Sequence, residues 1–254
     1  MKINELFCIK DKVVIITGAS RGIGKDLAKL FACNDAKVAL VARNGKELEN
    51  VRSELNKRGN VEIFPFDVTK FQKHSELIKK IYDEFGRIDV LINNAGTNIT
   101  KPATEITEED WDKVLDLNLK SAFFLSQAVH PYFVENEGGK IVHMSSQMAE
   151  VGYFERSAYS SSKGGIRQLT KALAIEWADD NILVNAIGPT FIDTPMTRSM
   201  FEDKDFEKDV FSRIPLGRLA ETKDLYGAIL YLSSDASNMV TGQSLYVDGG
   251  WTSW

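Results

Sequence analysis

Apolar residues along the chain follow two rhythms. Short runs rich in valine and isoleucine occupy residues 13–16, 38–41, 61–65, 88–93, 141–145, 183–187 and 244–247. Several are apolar on successive positions, as in strands buried on both faces of a parallel sheet. Between them lie stretches of about 12 to 28 residues with helical spacing, long enough for right-handed crossovers. Helix starts are signalled by Thr107 three residues before Asp110, and by Thr222 ahead of Asp224. No repeat, low-complexity tract or linker interrupts the alternation. The pattern predicts one α/β domain over residues 1–254, a doubly wound parallel sheet of about seven strands with helices on both faces.

Composition changes this picture little. A hydrophobic content of 43% and a charged content of 26% are ordinary for a globular chain of 254 residues, which is long enough to bury a full core. The net charge of −5, with no Lys/Arg cluster, argues against a nucleic-acid surface. No apolar run approaches the roughly 20 residues that span a bilayer, so no membrane partner is expected. Lys10, Asp11 and Lys12 break the N-terminal apolar character, against a signal peptide. Two cysteines, Cys8 and Cys33, cannot form a disulfide framework and fit a reducing, cytoplasmic setting. His74, His130 and His143 lack ligand spacing, so no metal site is expected.

The first strand runs into Thr17-Gly18-Ala19-Ser20-Arg21-Gly22-Ile23-Gly24, after which a helical pattern begins. Glycines there let the backbone turn tightly and approach a phosphate, whose charge a helix N-terminus stabilises. Strand, turn and helix in this order favour a dinucleotide site over a merely structural turn. NAD-selective sites place an acid about 20 residues beyond the glycine turn. Here the second strand ends Val41-Ala42-Arg43-Asn44, without an acid. Arg43 and Arg21 together suit the forked grip of a 2′-phosphate, so NADP (NADPH) is favoured over NAD. Asp67, followed by Val68, is placed to accept from an adenine amino group with Val68 packing on the ring. Asn93-Asn94-Ala95-Gly96 closes the fourth strand, where such folds bind ligands.

Tyr159 and Lys163 are four residues apart and share one face of a predicted helix. A cation about 5 Å from the phenol, at an effective dielectric near 20, would favour phenolate by roughly 3 kcal/mol, or about two pKa units. That coupling would make Tyr159 a usable acid or base. On this pair alone a solvated helix face is the preferred explanation of the spacing. Asn118 falls inside a long helix predicted over residues 108–133. Buried there, it must satisfy backbone or serve chemistry.

Together the motifs resemble the short-chain dehydrogenase/reductase family in its roughly 250-residue, Tyr-x-x-x-Lys form, with its Rossmann-type fold. The resemblance covers essentially the whole chain, through Thr17-Gly18-x-x-x-Gly22-x-Gly24, Asn93-Asn94-Ala95-Gly96, Asn118, Ser146, Tyr159-x-x-x-Lys163 and Gly188-Pro189 in family order. It implies that Asn118, Ser146, Tyr159 and Lys163 form the catalytic set, Ser146 being preferred to its neighbour Ser145. It implies reversible hydride transfer to a carbonyl, with Tyr159 as general acid/base and Ser146 on the substrate oxygen. Lys163 would hold the nicotinamide ribose, and Asn118 a water leading to solvent. Gly18, Ser20, Arg21, Gly22, Ile23, Gly24, Arg43, Asp67, Val68, Asn94, Ala95, Gly96, Pro189, Ile192 and Thr194 would complete the cofactor site.

Substrate-pocket expectations are Ser146, Met148, Phe154, Arg156, Thr190 and Met196. Arg156 is either a ligand for a substrate carboxylate or a solvated charge, and the solvated charge is the expectation. Residues 197–215, with Met200, Phe201, Phe206 and Phe211, suit a substrate lid within a loop of about 190–215; an amphipathic surface helix accounts for them as well. The C-terminal stretch 240–251 resembles sugar, sugar-acid and polyol dehydrogenases. The 3-oxoacyl-[acyl-carrier-protein] reductases share most of the other motifs, and a non-catalytic dinucleotide-binding regulator is the remote alternative. The resemblance also implies a homotetramer, with Trp251 and Trp254 placed at an interface.

Overall fold

The computed structural model describes residues 3–55, 60–193, 197 and 199–253. Strands β1 (Val13–Thr17), β2 (Lys37–Ala42), β3 (Val61–Pro65), β4 (Val90–Asn93), β5 (Gly139–Met144), β6 (Ile182–Pro189) and β7 (Ser244–Val247) form one sheet in the order β3-β2-β1-β4-β5-β6-β7. Every pairing is parallel, for example Val14 with Val38 on one side and with Val90 on the other. The order reverses between β1 and β4, which opens a crevice at their C-terminal ends.

Side chains alternate across the sheet because successive Cβ atoms point to opposite faces. Val14, Ile16, Val38, Leu40 and Ile92 pack on one face against Leu27 and Phe31 of α1 (Gly22–Cys33) and Leu48 and Val51 of α2 (Gly45–Leu55). Ile15, Ala39, Val41 and Leu91 pack on the other against Leu77, Ile78 and Ile81 of α3 (His74–Phe85). Each such Val, Ile, Leu or Phe side chain, fully buried, contributes roughly 1.5–3 kcal/mol. Burial on both faces is why the strands lack the alternation of an exposed sheet.

The helix expected over residues 108–133 is interrupted. It comprises α4 (Glu108–Leu115), a π-helical turn (Asp116–Lys120) and α5 (Ser121–Glu135). Thr107 caps α4 as expected: its hydroxyl accepts from the Asp110 amide at 3.1 Å, and Asp110 accepts from the Thr107 amide. The later start shifts by one residue. Glu221, not Thr222, caps the turn Thr222–Leu225, its amide donating to Asp224 at 2.8 Å. That turn leads into a helix at Tyr226–Ser233.

The long α6 (Ser157–Glu176) packs against β6 and against the turn Gln147–Ala149 that follows β5. Beyond β6, α7 (Lys204–Ser212) closes a third apolar cluster of Met148, Phe191, Val210, Ile214 and Trp251. Trp251 is therefore internal to its own chain, not an interface residue: its ring lies 5.7 Å from both Phe191 and Tyr153. Trp254 lies outside the described residues. Among the described residues no helix is long and apolar enough to cross a membrane, and no disulfide joins Cys8 and Cys33, which are both exposed.

Candidate active site

The crevice at the sheet switch point collects side chains from β1, β4, β5 and α6. In the first βα turn Gly18 adopts φ +67°, the left-handed region that a side chain disfavours. A Cβ on Gly24 would run into the Gly18 carbonyl oxygen and stand 2.6 Å from Asn94 Nδ2. The turn closes on itself only because Gly24 has no side chain. Asn94 stitches it to β4: Nδ2 donates to the Thr17 carbonyl at 2.8 Å, and its amide donates to Thr17 Oγ1 at 2.9 Å. Ala95 N also donates to Thr17 Oγ1, at 2.9 Å. Ser20 and Ile23 are half-buried on the turn, while Gly22 and Arg21, which precedes α1, are exposed.

Arg43 is exposed at the end of β2, and among the described residues neither it nor Arg21 pairs with a carboxylate. Val68 is buried next to Asp67. Burial opposes ionisation of Asp67, yet the carboxyl titrates below its ordinary value. Thr69 donates to Oδ1 from its amide at 3.0 Å and its hydroxyl at 2.8 Å, with help from the charges of Arg43 and Lys70. Asn93 points away from the crevice; its Nδ2 donates to Ser126 at 3.1 Å and meets His143 Nδ1 at 3.2 Å, tying α5 to the sheet.

Tyr159 and Lys163 lie in the first turns of α6, with Lys163 Nζ 5.6 Å from the tyrosine ring centre. The electrostatics differ from the two-unit lowering of the phenol pKa expected from Lys163. Burial is the largest influence on Tyr159 and holds its pKa above the ordinary value; a hydrogen bond with Ser146 and the charge of Arg156 oppose it. Lys163 is pushed down to about 8 by burial and spends a hydrogen bond on the Met144 carbonyl, at 2.7 Å. Desolvation acts on both groups, disfavouring their charged forms, and it outweighs their mutual attraction.

Ser146 sits just past β5 in extended backbone, its hydroxyl accepting from Met148 N at 3.1 Å and donating to Gln147 Oε1 at 2.8 Å. Ser145 turns instead toward the Lys163 carbonyl, 3.4 Å away. Asn118 occupies the π turn. It accepts from Thr97 N at 2.8 Å and donates to Thr97 O at 2.9 Å and Ser162 Oγ at 3.0 Å. Ser162 Oγ in turn donates to the Tyr159 carbonyl at 2.7 Å. A Cβ on Gly96 would stand 3.2 Å from Asn118 Oδ1 and 3.8 Å from Lys163 Nζ, so Gly96 marks where the asparagine and the lysine meet. Ser162 was not foreseen, although it lies inside the Tyr-x-x-x-Lys motif; its place one residue before Lys163 was the only available signal.

Pro189 ends β6, Ile192 is buried against Ala220, and the buried Thr190 hydroxyl has no hydrogen-bond partner among the described residues. Thr194 and Met196 lie outside the described residues. Of the expected pocket residues, Phe154, 72% exposed, and Arg156 line a cavity of about 550 Å³ with Tyr153 and Phe206, whereas Ser146, Thr190 and Met148, the last buried in the third cluster, do not. Arg156 is not a solvated charge: it is only 3% exposed.

A cradle that only glycines permit, a nearby buried cation and facing Ser146 and Tyr159 hydroxyls suit a dinucleotide and a carbonyl. Residues 18–252 match the short-chain family model described as enoyl-(acyl carrier protein) reductase. The chain belongs to the short-chain dehydrogenase/reductase family, oxidoreductases acting on alcohols and ketones.

Among its relatives, a 3-oxoacyl-[acyl-carrier-protein] reductase of Thermotoga maritima is 39% identical over 95% of this chain and 98% of its own. A 2-dehydro-3-deoxy-D-gluconate 5-dehydrogenase of Pseudoalteromonas atlantica is 38% identical over 97% and 98%. A gluconate 5-dehydrogenase of Burkholderia cenocepacia, solved with NADP and tartrate, superposes with TM-score 0.95 at 31% identity over the full length of both chains.

Proposed function

We propose that the protein transfers a hydride between NADP(H) and a carbonyl or secondary alcohol of a sugar, sugar acid, polyol or related ketone. The observation that carries this reading is the convergence of Tyr159, Ser146 and Lys163 beside the glycine cradle. The cofactor supplies the hydride; the chain supplies alignment and the proton. Ser146, turning its hydroxyl proton from Gln147, donates to the substrate oxygen, and Tyr159, kept protonated by its burial, delivers its proton to that oxygen as negative charge develops there. Lys163 would hold the ribose hydroxyls of the bound cofactor, and Asn118, tied to Thr97 and Ser162, would place a water leading from the lysine toward solvent.

Gly18, Ser20, Gly22, Ile23 and Gly24 would cradle the pyrophosphate. Asp67 and Val68 would hold the adenine, and Asn94, Ala95, Gly96, Pro189, Ile192 and Thr194 the nicotinamide side. Arg43 and Arg21, exposed and without carboxylate partners among the described residues, support a 2′-phosphate and hence NADP. The NADP in the Burkholderia gluconate 5-dehydrogenase supports the same choice. The tartrate of that structure, a hydroxy acid, supports a polyhydroxylated acid as substrate. The segment around 190–215 acts as a lid, its α7 packed over the aromatic cluster. The 39% identity to a 3-oxoacyl-[acyl-carrier-protein] reductase keeps acyl thioesters as the second reading.

A panel of ketoses, keto acids, diketones and acetoacetyl thioesters, followed by reduced-cofactor absorbance with NADPH and NADH, tests both. NADPH-dependent turnover of a ketose or keto acid is expected. Exclusive turnover of the thioester would replace the first reading with the second, and preference for NADH would overturn the roles given to Arg21 and Arg43.

A further inference from the structure

Arg156 is a buried cation with almost nothing to bind. Its guanidinium carries five N–H donors, and among the described residues its one hydrogen bond runs from Nη1 to the neighbouring Glu155 carbonyl at 3.2 Å. No carboxylate lies within ion-pair distance of it among the described residues. A buried, unpaired charge is costly, and such groups concentrate where a ligand completes them. The chain also strains to place it: Glu155, directly before it, is held at φ +56°, a conformation costing about 1 kcal/mol or more for a residue with a side chain.

The side chain lines a cavity of about 550 Å³ shared with Thr100, Tyr153, Phe154, Met200 and Phe206. That volume is typical of small-molecule sites. Arg156 is the N-cap residue just before α6, three residues ahead of Tyr159, and the two are close enough for their charges to influence one another. Among the described residues none of the carboxylates around the cavity forms an ion pair with it, although the charge of Glu155 acts on it and favours its charged form. Asp209 is held by Arg213 at 2.9 and 3.0 Å and by the Tyr153 hydroxyl at 2.8 Å. Asp203 accepts from the amides of Asp205 and Phe206. With Glu155 and Asp205 exposed at the rim, these acids disfavour a phosphate dianion and leave one cation to be matched by one negative charge.

We propose that Arg156 binds the carboxylate of the substrate, so that this oxidoreductase acts on keto acids or hydroxy acids in preference to neutral sugars and polyols. The proposal rests on the hydride-transfer reading above. A guanidinium meets a carboxylate through two parallel N–H···O bonds, fixing the acid end while the carbonyl faces Tyr159 and Ser146. Tyr153 and Phe154 flank the carbon chain.

The test uses two matched ketone pairs that differ only in a carboxylate against a hydroxymethyl group: 5-keto-D-gluconate with L-sorbose, and 4-oxopentanoate with 5-hydroxy-2-pentanone. Wild-type protein is expected to prefer the acid in at least one pair. Arg156→Gln should lower kcat/KM for that acid about 10- to 100-fold, mainly through KM, and change its neutral partner less than about threefold. Arg156→Lys, which keeps the charge without the fork, should recover part of the loss. Equal loss on both members, as misfolding would give, or no acid preference in either pair, overturns the proposal. If no ketone is turned over, the hydride-transfer reading fails on its own account. Calorimetric titration with D-gluconate and with D-glucitol then still decides: Arg156 must be required for gluconate to bind more tightly than glucitol, and equal binding in wild type and Arg156→Gln refutes it.

Discussion

Lys163 keeps a titration near 8 because its ammonium is enclosed, and Tyr159 beside it is held neutral for the same reason. The consequence for rate has a definite sign. In the proposed reduction Tyr159 acts as phenol and Lys163 as cation, so kcat/KM for a ketone should hold from about pH 6 and fall above about 8, where free-enzyme Lys163 loses its proton. Lys163→Arg, which stays charged, should remove that limb even if overall turnover drops. Tyr159→Phe should cut turnover at least about 1,000-fold while leaving NADPH affinity, read by fluorescence titration, within about threefold. His143 makes a stability prediction. Fully buried beside Asn93, it is pushed down to about 3 by burial and by the charge of Lys163, whereas unfolded it titrates near 6.5. The unfolded chain therefore binds the proton first, and stability present above pH 6.5 is lost as pH falls toward 3. Urea unfolding of His143→Leu against wild type over that range should show a flatter profile in the variant.

At the scale of elements, the two devices that shape the site are the glycine turn and the π turn. Gly24→Ala forces a methyl onto the Gly18 carbonyl and Asn94, so α1 must move off the turn. Dinucleotide affinity should fall at least about tenfold with helix content by circular dichroism retained. The glycine turn was legible from its spacing. The π turn was not, because no residue in 116–120 announces an extra residue in the helix. It exists because Asn118 must reach Thr97 and Ser162 at once, a tertiary demand with no local signature; such insertions often mark functional sites. The strands were legible because parallel strands buried on both faces have to be apolar. Their ends were less so: β6 runs on to Pro189, and β4 begins only at Val90. Arg156 shows the opposite limit. Residue type argues for a charge in water, and only the fold of the 153–157 segment against α6 and α7 encloses it.

For the molecule as a whole, β7 is an edge strand whose Leu245 is 40% exposed, and Ile175 and Met239 are exposed apolar side chains as well. Open sheet edges and bare apolar groups favour association, and we expect a homotetramer built through β7 and through α4 to α6. Sedimentation at micromolar concentration should give roughly four times the 28.4 kDa chain mass, and a single monomeric species would refute it. The aromatic cluster under the proposed lid has a different consequence, an optical one. Trp251 is wedged between Phe191 and Tyr153, and Phe191 in turn touches Phe201 and Phe206 of the lid. Any displacement of the lid must alter the surroundings of that indole, so its emission is a built-in gauge of closure that needs no attached dye. With Trp111, Trp177 and Trp254 replaced by phenylalanine, the signal from Trp251 would time that closure during turnover.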